Sequence, residues 1–343
     1  MKSAAVLGAG SWGTALASVL TENGWETTLW ARREEAVREI KESGTNKRYL
    51  PGFQLPKGLQ ATTSIQEALT GKQLVLFVVP SHTMREVARE AARFLPSEAI
   101  VAHAAKGFEL DSLKRISEVL TEELPEIEDR LAVLSGPSHA EEVIRKCPTT
   151  VVAAARRRET AEAVQSALIN SFFRVYTNPD LVGVEIGGSL KNIIALGAGL
   201  SDGLGFGDNA KAALITRGLT EIARLGMAMG AQALTFAGLA GVGDLVVTCT
   251  SKHSRNWRAG NLLSQGFQLE EVLDQMGMVV EGVKTTKAAF QLCRQYEVDM
   301  PITEQLHAVL FDQKPPRLAV EDLMTRGKTD EMEEMMTGTK PWV

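Results

Sequence analysis

The chain has 343 residues, 44 % hydrophobic and 23 % charged, with a formal net charge of −5. At about 100–200 residues per domain, two domains are expected, each able to bury a core without disulfide or metal staples. An acidic chain throws no broad cationic field, which argues against nucleic-acid binding and requires that any anionic ligand meet locally concentrated positive charge. Cys147, Cys249 and Cys293 are widely spaced and form no CxxC pair. They are therefore expected to be small buried thiols in a reducing compartment, not a disulfide framework or a zinc site. The opening MKSAAVLGAG lacks the basic region, long apolar stretch and cleavage site of a signal peptide. Apolar runs such as 74–79 fall far short of the ~20 residues that cross a bilayer. A cytoplasmic location without membrane insertion is the expectation.

Residues 4–7, 27–30, 74–79, 99–102, 131–134, 150–154 and 174–176 are short apolar runs without alternation. That pattern predicts strands of a parallel sheet covered by helices on both faces. Amphipathic stretches lie between them at 13–23, 84–94, 113–123 and 161–169. Alternating strand and helix with short connections predicts a Rossmann-type, doubly wound α/β domain over residues 1–180. From Leu181 onward the β pattern stops, and long helical stretches such as 190–200, 209–229, Leu269–Met276 and 284–295 predict an all-helical domain over 181–330. The tail 331–343, rich in Met, Glu and Thr, is expected to be flexible.

Directly after the first strand, VLGAGSWGTALA places Gly8, Gly10 and Gly13 in GxGxxG spacing at the start of a helix. These glycines serve a tight turn, close backbone approach to a pyrophosphate, and close helix–strand packing, and the helix N-terminus presents N–H groups to phosphate. This context predicts a dinucleotide site. About twenty residues on, where NAD-selective folds usually carry an acid, the second strand ends in Arg32 and Arg33. Guanidinium groups suit a 2′-phosphate, so NADP(H) is expected to be preferred, with NAD(H) possible.

Four further segments carry candidate chemistry. In HAAKGFE, Lys106 and Gly107 follow a strand end, where a cation either faces the ligand crevice or lies on a surface turn. In LSGPSHAEEV, Ser135, Gly136, Pro137 and Ser138 form a turn of small residues before Ala140, suited to close ligand approach or to simple capping. In EIGGSLKNIIALGAGL, Lys191 interrupts an apolar helix and is either a proton donor or a snorkelling lysine. In GVGDLVVTCTSKHSRN, Asp244, Ser254, Arg255 and Asn256 offer a compact donor set for a phosphomonoester, with a plain polar loop as the alternative. His82, His103, His139, His253 and His307 are scattered, and no metal is expected.

Taken in order, GAGSWGTALA, AAKGFE, LSGPSHAEEV, SLKNIIALGAGLSDGL with GDNAKAALITRGL, GLAGVGDLVVTCTS with SRN, and VVEGVKTT resemble the bacterial NAD(P)-dependent glycerol-3-phosphate dehydrogenase family, from Gly8 to Thr286. The resemblance implies a 6-phosphogluconate-dehydrogenase-like fold that reversibly reduces dihydroxyacetone phosphate to sn-glycerol 3-phosphate for glycerophospholipid synthesis. It implies Lys191 as general acid and base, and Lys106, Gly136, Ser138, Lys191, Asp244, Ser254, Arg255 and Asn256 around the substrate. It also implies dinucleotide contacts from Ser11, Trp12, Arg32, Arg33, Tyr49, Lys106, Ala140, Arg255, Val279 and Glu281, besides the three glycines. A homodimer is expected by analogy. Competing readings are a β-hydroxyacid or 6-phosphogluconate-type dehydrogenase, against which TSKHSRN suggests a small phosphomonoester, and a non-catalytic dinucleotide sensor, against which the two lysines count.

Overall fold

The computed structural model describes residues 2–277 and 279–328, so the tail at 331–343 lies outside the described residues. The chain divides into two compact units, Met1–Glu109 with Lys114–Val184, and Leu110–Leu113 with Glu185–Val343.

The first unit is built on strands β1 (Ser3–Leu7), β2 (Glu26–Trp30), β3 (Gln60–Thr62), β4 (Leu74–Phe77), β5 (Ile100–His103), β6 (Leu131–Ser135), β7 (Thr149–Ala155) and β8 (Phe173–Asn178). Its helices are α1 (Ser11–Glu22), α2 (Glu34–Ser43), α3 (Ile65–Leu69), α4 (Met84–Ala91), α5 (Ile116–Glu123), α6 (Ala140–Ile144) and α7 (Arg158–Leu168). The strands form one sheet in the order β3-β2-β1-β4-β5-β6-β7-β8. Leu7 pairs with Trp30 on one side and Phe77 on the other, both in parallel register.

Successive side chains of a strand point to opposite faces, which is why the central strands are apolar throughout. Ala4 and Val6 enter one cluster with Leu16 and Leu20 of α1 and Val164 and Leu168 of α7. Ala5 and Leu7 enter the other, with Val87 and Ala91 of α4 and Val119 and Leu120 of α5. The strand order reverses between β1 and β4, the place where such sheets open a ligand crevice.

Two features depart from the sequence expectation. The eighth strand, β3, is a three-residue edge strand, too short to carry a pattern. In addition, β7 runs antiparallel to β6. The connection between them, residues 136–148, holds only the five-residue α6, too short a helix to carry the chain back along the sheet, so the chain turns back.

The second unit carries α8 (Leu181–Gly203, whose first residues belong to the first unit), α9 (Gly207–Ala228), α10 (Asp244–Thr250), α11 (Arg255–Ser264), α12 (Leu269–Met276), α13 (Glu281–Gln295), α14 (Pro301–Phe311) and α15 (Pro316–Met324). No strand occurs among its described residues. The expectation that every apolar run is short is corrected by α8. Its 23 residues have a mean hydropathy of 1.3 over the most apolar window, long and apolar enough to span a membrane. That window is 94 % buried within the protein, as befits a core helix.

Candidate active site

In the first unit the three glycines of the opening turn do three separable jobs. Gly8 has φ +124°, and a Cβ there would meet the Val78 carbonyl oxygen at 2.6 Å. A Cβ on Gly13 would overlap the Gly8 carbonyl oxygen, so α1 packs directly on the turn. Gly10 differs from both: its φ of −74° is ordinary, and a Cβ would meet nothing within 4 Å. No contact among the described residues requires glycine at this position, whereas an external ligand approaching the backbone does. Gly10 also precedes α1 without a side-chain cap, leaving first-turn N–H groups to an outside acceptor. The turn therefore fits a dinucleotide pyrophosphate.

Around this turn, Ser11 donates its hydroxyl to the Tyr49 carbonyl at 3.0 Å, and Trp12 lies half-buried against Phe173. The Arg33 guanidinium stands 5.8 Å from the Tyr49 ring centroid, and Arg32 is exposed one residue earlier. Ser11, Tyr49 and Arg33 are thus brought together, although Tyr49 lies far along the chain. A second group gathers at the ends of β5 and β6. The Gly136 carbonyl (φ +126° at this glycine) accepts from Ser138 Oγ at 2.8 Å and from Lys106 Nζ at 3.4 Å, and Ala140 opens α6.

In the second unit, Lys191 is 5 % exposed and Asp244 is 1 % exposed. The Lys191 ammonium donates to Asp244 Oδ1 and, at 2.6 Å, to Thr248 Oγ1. The Thr248 hydroxyl in turn donates to the Asp244 main-chain carbonyl at 2.6 Å. A buried lysine so held is no snorkelling side chain. Cys249 lies beside this pair, where burial pushes its thiol up to about 12, so it carries no thiolate near neutral pH. Of the other cysteines, Cys293 is buried as expected and Cys147 is only half-buried, and both are free thiols.

Ser254 caps α11, its hydroxyl oxygen accepting from Trp257 N at 3.2 Å. Capping uses a lone pair and leaves the hydroxyl proton to a further acceptor. Arg255 donates to the Val279 carbonyl at 3.0 Å. The Asn256 amide is bonded at both ends: its Nδ2 donates to Asn192 Oδ1 at 2.9 Å, and its Oδ1 accepts from Gly282 N at 2.8 Å, one residue into α13 from Glu281. This fixes α8, α11 and the start of α13 around one amide. Lys191, Asp244, Arg255, Asn256, Val279 and Glu281 thereby fall within one bonded neighbourhood.

Residues 3–161 match the family described as NAD-dependent glycerol-3-phosphate dehydrogenase N-terminus, and residues 180–321 match its C-terminus. The chain belongs to the NAD-dependent glycerol-3-phosphate dehydrogenase family. It is 58 % identical over 337 residues to the glycerol-3-phosphate dehydrogenase [NAD(P)+] of Bacillus subtilis, covering 98 % of each chain. The crystal structure of glycerol-3-phosphate dehydrogenase from Coxiella burnetii superposes with a TM-score of 0.90 at 40 % identity, covering 95 % of this chain and 99 % of that one. A ketopantoate reductase from Ralstonia eutropha shares the fold alone, with a TM-score of 0.59 at 17 % identity, covering 94 % and 99 %.

Within this dehydrogenase, Thr248 was not singled out from the sequence, and Asn192 was noted only as the neighbour that makes a lysine–asparagine pair with Lys191. Thr248 could have been found, since it follows Asp244 by four residues and shares its helix face. Asn192 is adjacent to Lys191, but its bond to Asn256 spans 64 positions and has no local mark. Among the described residues, no three His, Cys, Asp or Glu side chains gather as a metal site.

Proposed function

We propose that this chain reversibly reduces dihydroxyacetone phosphate to sn-glycerol 3-phosphate, preferring NADP(H) and accepting NAD(H), with the product feeding glycerophospholipid synthesis. The observation that carries the reading is the buried Lys191 ammonium held by Asp244 and Thr248 in a member of this family. When bound, the reduced nicotinamide supplies the hydride. Lys191 gives its proton to the ketone oxygen as charge develops there, and takes it back in the reverse direction. Asp244 and Thr248 keep the ammonium oriented and charged until that moment.

The α11 N-terminus with Arg255, Asn256 and the Ser254 hydroxyl holds the substrate phosphate, combining a guanidinium fork with the positive end of the helix dipole. Lys106, Gly136 and Ser138 are assigned to the substrate by resemblance. So are Trp12, Tyr49, Lys106, Ala140, Arg255, Val279 and Glu281 to the dinucleotide, and the unpaired Arg32 and Arg33 to its 2′-phosphate. A cytoplasmic homodimer is proposed on the same footing, which light scattering tests.

The decisive assay follows NADPH, then NADH, absorbance on addition of dihydroxyacetone phosphate. Ketone-dependent oxidation, faster with NADPH, is expected. Lys191→Ala is expected to lower kcat by about 10²–10⁴-fold while NADPH still binds. Absence of turnover with either dinucleotide, in protein that binds both, would sink the reading.

A further inference from the structure

Arg48 lies outside every residue set assigned above, yet it sits on the wall of the dinucleotide turn. The segment carrying it is pinned by Asn46, which is 1 % exposed. Asn46 Nδ2 donates to the Ala9 carbonyl inside the glycine turn at 3.0 Å and to Thr14 Oγ1 of α1 at 2.9 Å. The Asn46 carbonyl accepts from Tyr49 N at 3.1 Å and Leu50 N at 2.8 Å, and Ser11 ties Tyr49 from the other side at 3.0 Å. Turn and segment are therefore one bonded body, and Arg48 is held next to Tyr49 by that body.

The Arg48 guanidinium carbon stands 5.8 Å from the Tyr49 ring centroid, the same distance as that of Arg33. Two guanidinium groups beside one ring repel each other, and the ring's quadrupole offsets only part of that cost. Other arginines of the protein are paired with carboxylates, among them Arg85, Arg157 and Arg158. Among the described residues, no carboxylate pairs with Arg32, Arg33 or Arg48. Glu39 beside the segment is taken up by Thr45 Oγ1 at 2.8 Å and Lys47 N at 2.9 Å. An unpaired cluster of cations in a chain of net charge −5 is the local concentration that an anionic ligand requires.

We infer that Arg48 is a specificity-determining residue of the dinucleotide site, a third guanidinium that binds the 2′-phosphate together with Arg32 and Arg33. The inference rests on the NADP(H) preference proposed above and deepens it. Arg48 is exposed, so Arg48→Ala leaves the core intact.

The test is calorimetric, on the full chain, with adenosine 2′,5′-bisphosphate and adenosine 5′-monophosphate as probes. Arg48→Ala is expected to weaken the bisphosphate about tenfold more than the monophosphate, as loss of one exposed charge-assisted contact predicts. The same factor is expected in the ratio of kcat/KM for NADPH over NADH. Arg48→Lys is expected to restore part of it, a point charge without the fork, and the difference is expected to shrink as salt rises. Equal weakening of both probes, or none, with Arg33→Ala still selective for the 2′-phosphate, overturns the role of Arg48 and leaves the cofactor preference standing. If Arg32→Ala, Arg33→Ala and Arg48→Ala all leave the probe ratio unchanged, the preference itself fails.

Discussion

The glycine turn of the first unit and the helix crossing of the second use the same residue for opposite ends. At the crossing of α8 and α11, a Cβ on Gly199 would overlap the Trp257 carbonyl oxygen, and one on Gly260 would overlap the Leu196 carbonyl oxygen. A Cβ on Gly282 would meet the Asn192 carbonyl oxygen at 2.7 Å and Asn256 Oδ1 at 2.9 Å. These glycines are filled in by neighbouring backbone and set how closely the Lys191 helix and the Arg255–Asn256 helix approach. In the turn, Gly8 and Gly13 are filled in likewise, but Gly10 faces open space. An internal glycine is explained by packing. Gly10, with ordinary φ and no neighbour inside a phosphate-type turn, is explained by something that arrives from outside.

The largest expected effects fall on the closed positions. Gly260→Ala must push α11 off α8, and Gly13→Ala must push α1 off the turn, because the obstructing atoms are main-chain carbonyls that cannot rotate away. Each substitution is expected to cost about 3 kcal/mol or more, read from denaturant midpoints. Gly260→Ala should also depress turnover by straining the 2.9 Å bond between Asn256 and Asn192. If either variant keeps wild-type stability, the close approach at that place is not real.

The two regions also differ toward pH. The turn is held by carbonyls, hydroxyls and one amide, none titrating near neutrality. The helical unit contains Glu221 of α9, buried and accepting from Ile302 N at 2.6 Å, Thr303 N at 3.1 Å and Thr303 Oγ1 at 3.0 Å at the start of α14. Those bonds favour the carboxylate, yet burial dominates and pushes its pKa up to about 7. The folded protein then keeps a proton that the unfolded chain releases near pH ~4.3. The stability this group contributes is full below that pH, declines above it and is lost as pH rises through about 7. The loss is of order 3 kcal/mol at most. Comparing denaturant midpoints of wild type and Glu221→Gln from pH 5 to 8 isolates the term, since Gln does not titrate. The wild-type curve should fall relative to the variant, and parallel curves would remove Glu221 as the cause.

How much of this was legible follows from the range of each interaction. The strands of the parallel sheet were visible because burial on both faces makes them continuous apolar runs, as in Leu74–Phe77. The glycine turn was visible because its spacing is local. The edge strand β3 was not, since three residues carry no period, and neither was the reversed β7, whose direction depends on how short a helix its connection forms. Lys191 stood out as a charge in an apolar helix, but whether it was buried depended on Asp244, 53 positions away. Asn46 and Arg48 gave no signal at all. Their importance lies in bonds from a loop back to Ala9 and Thr14, and no periodicity encodes those.

The smallest expected change in stability is the most informative about the turn. Alanine accepts the φ of −74° and ψ of −179° found at Gly10, and its Cβ would touch nothing. Gly10→Ala should therefore leave the thermal midpoint of the ligand-free protein unchanged, or raise it slightly by restricting the unfolded chain, within about 1 kcal/mol. The same methyl group stands where a pyrophosphate must approach the backbone, so NADPH affinity should fall about tenfold or more, close to 1.4 kcal/mol. Calorimetry with NADPH, beside a thermal melt of the free protein, separates the two quantities. Gly13→Ala is expected to lose both together, because it deforms the turn itself. If Gly10→Ala binds NADPH like wild type, the open face is not where the phosphates pass, and glycine at this position would lose its only physical reason.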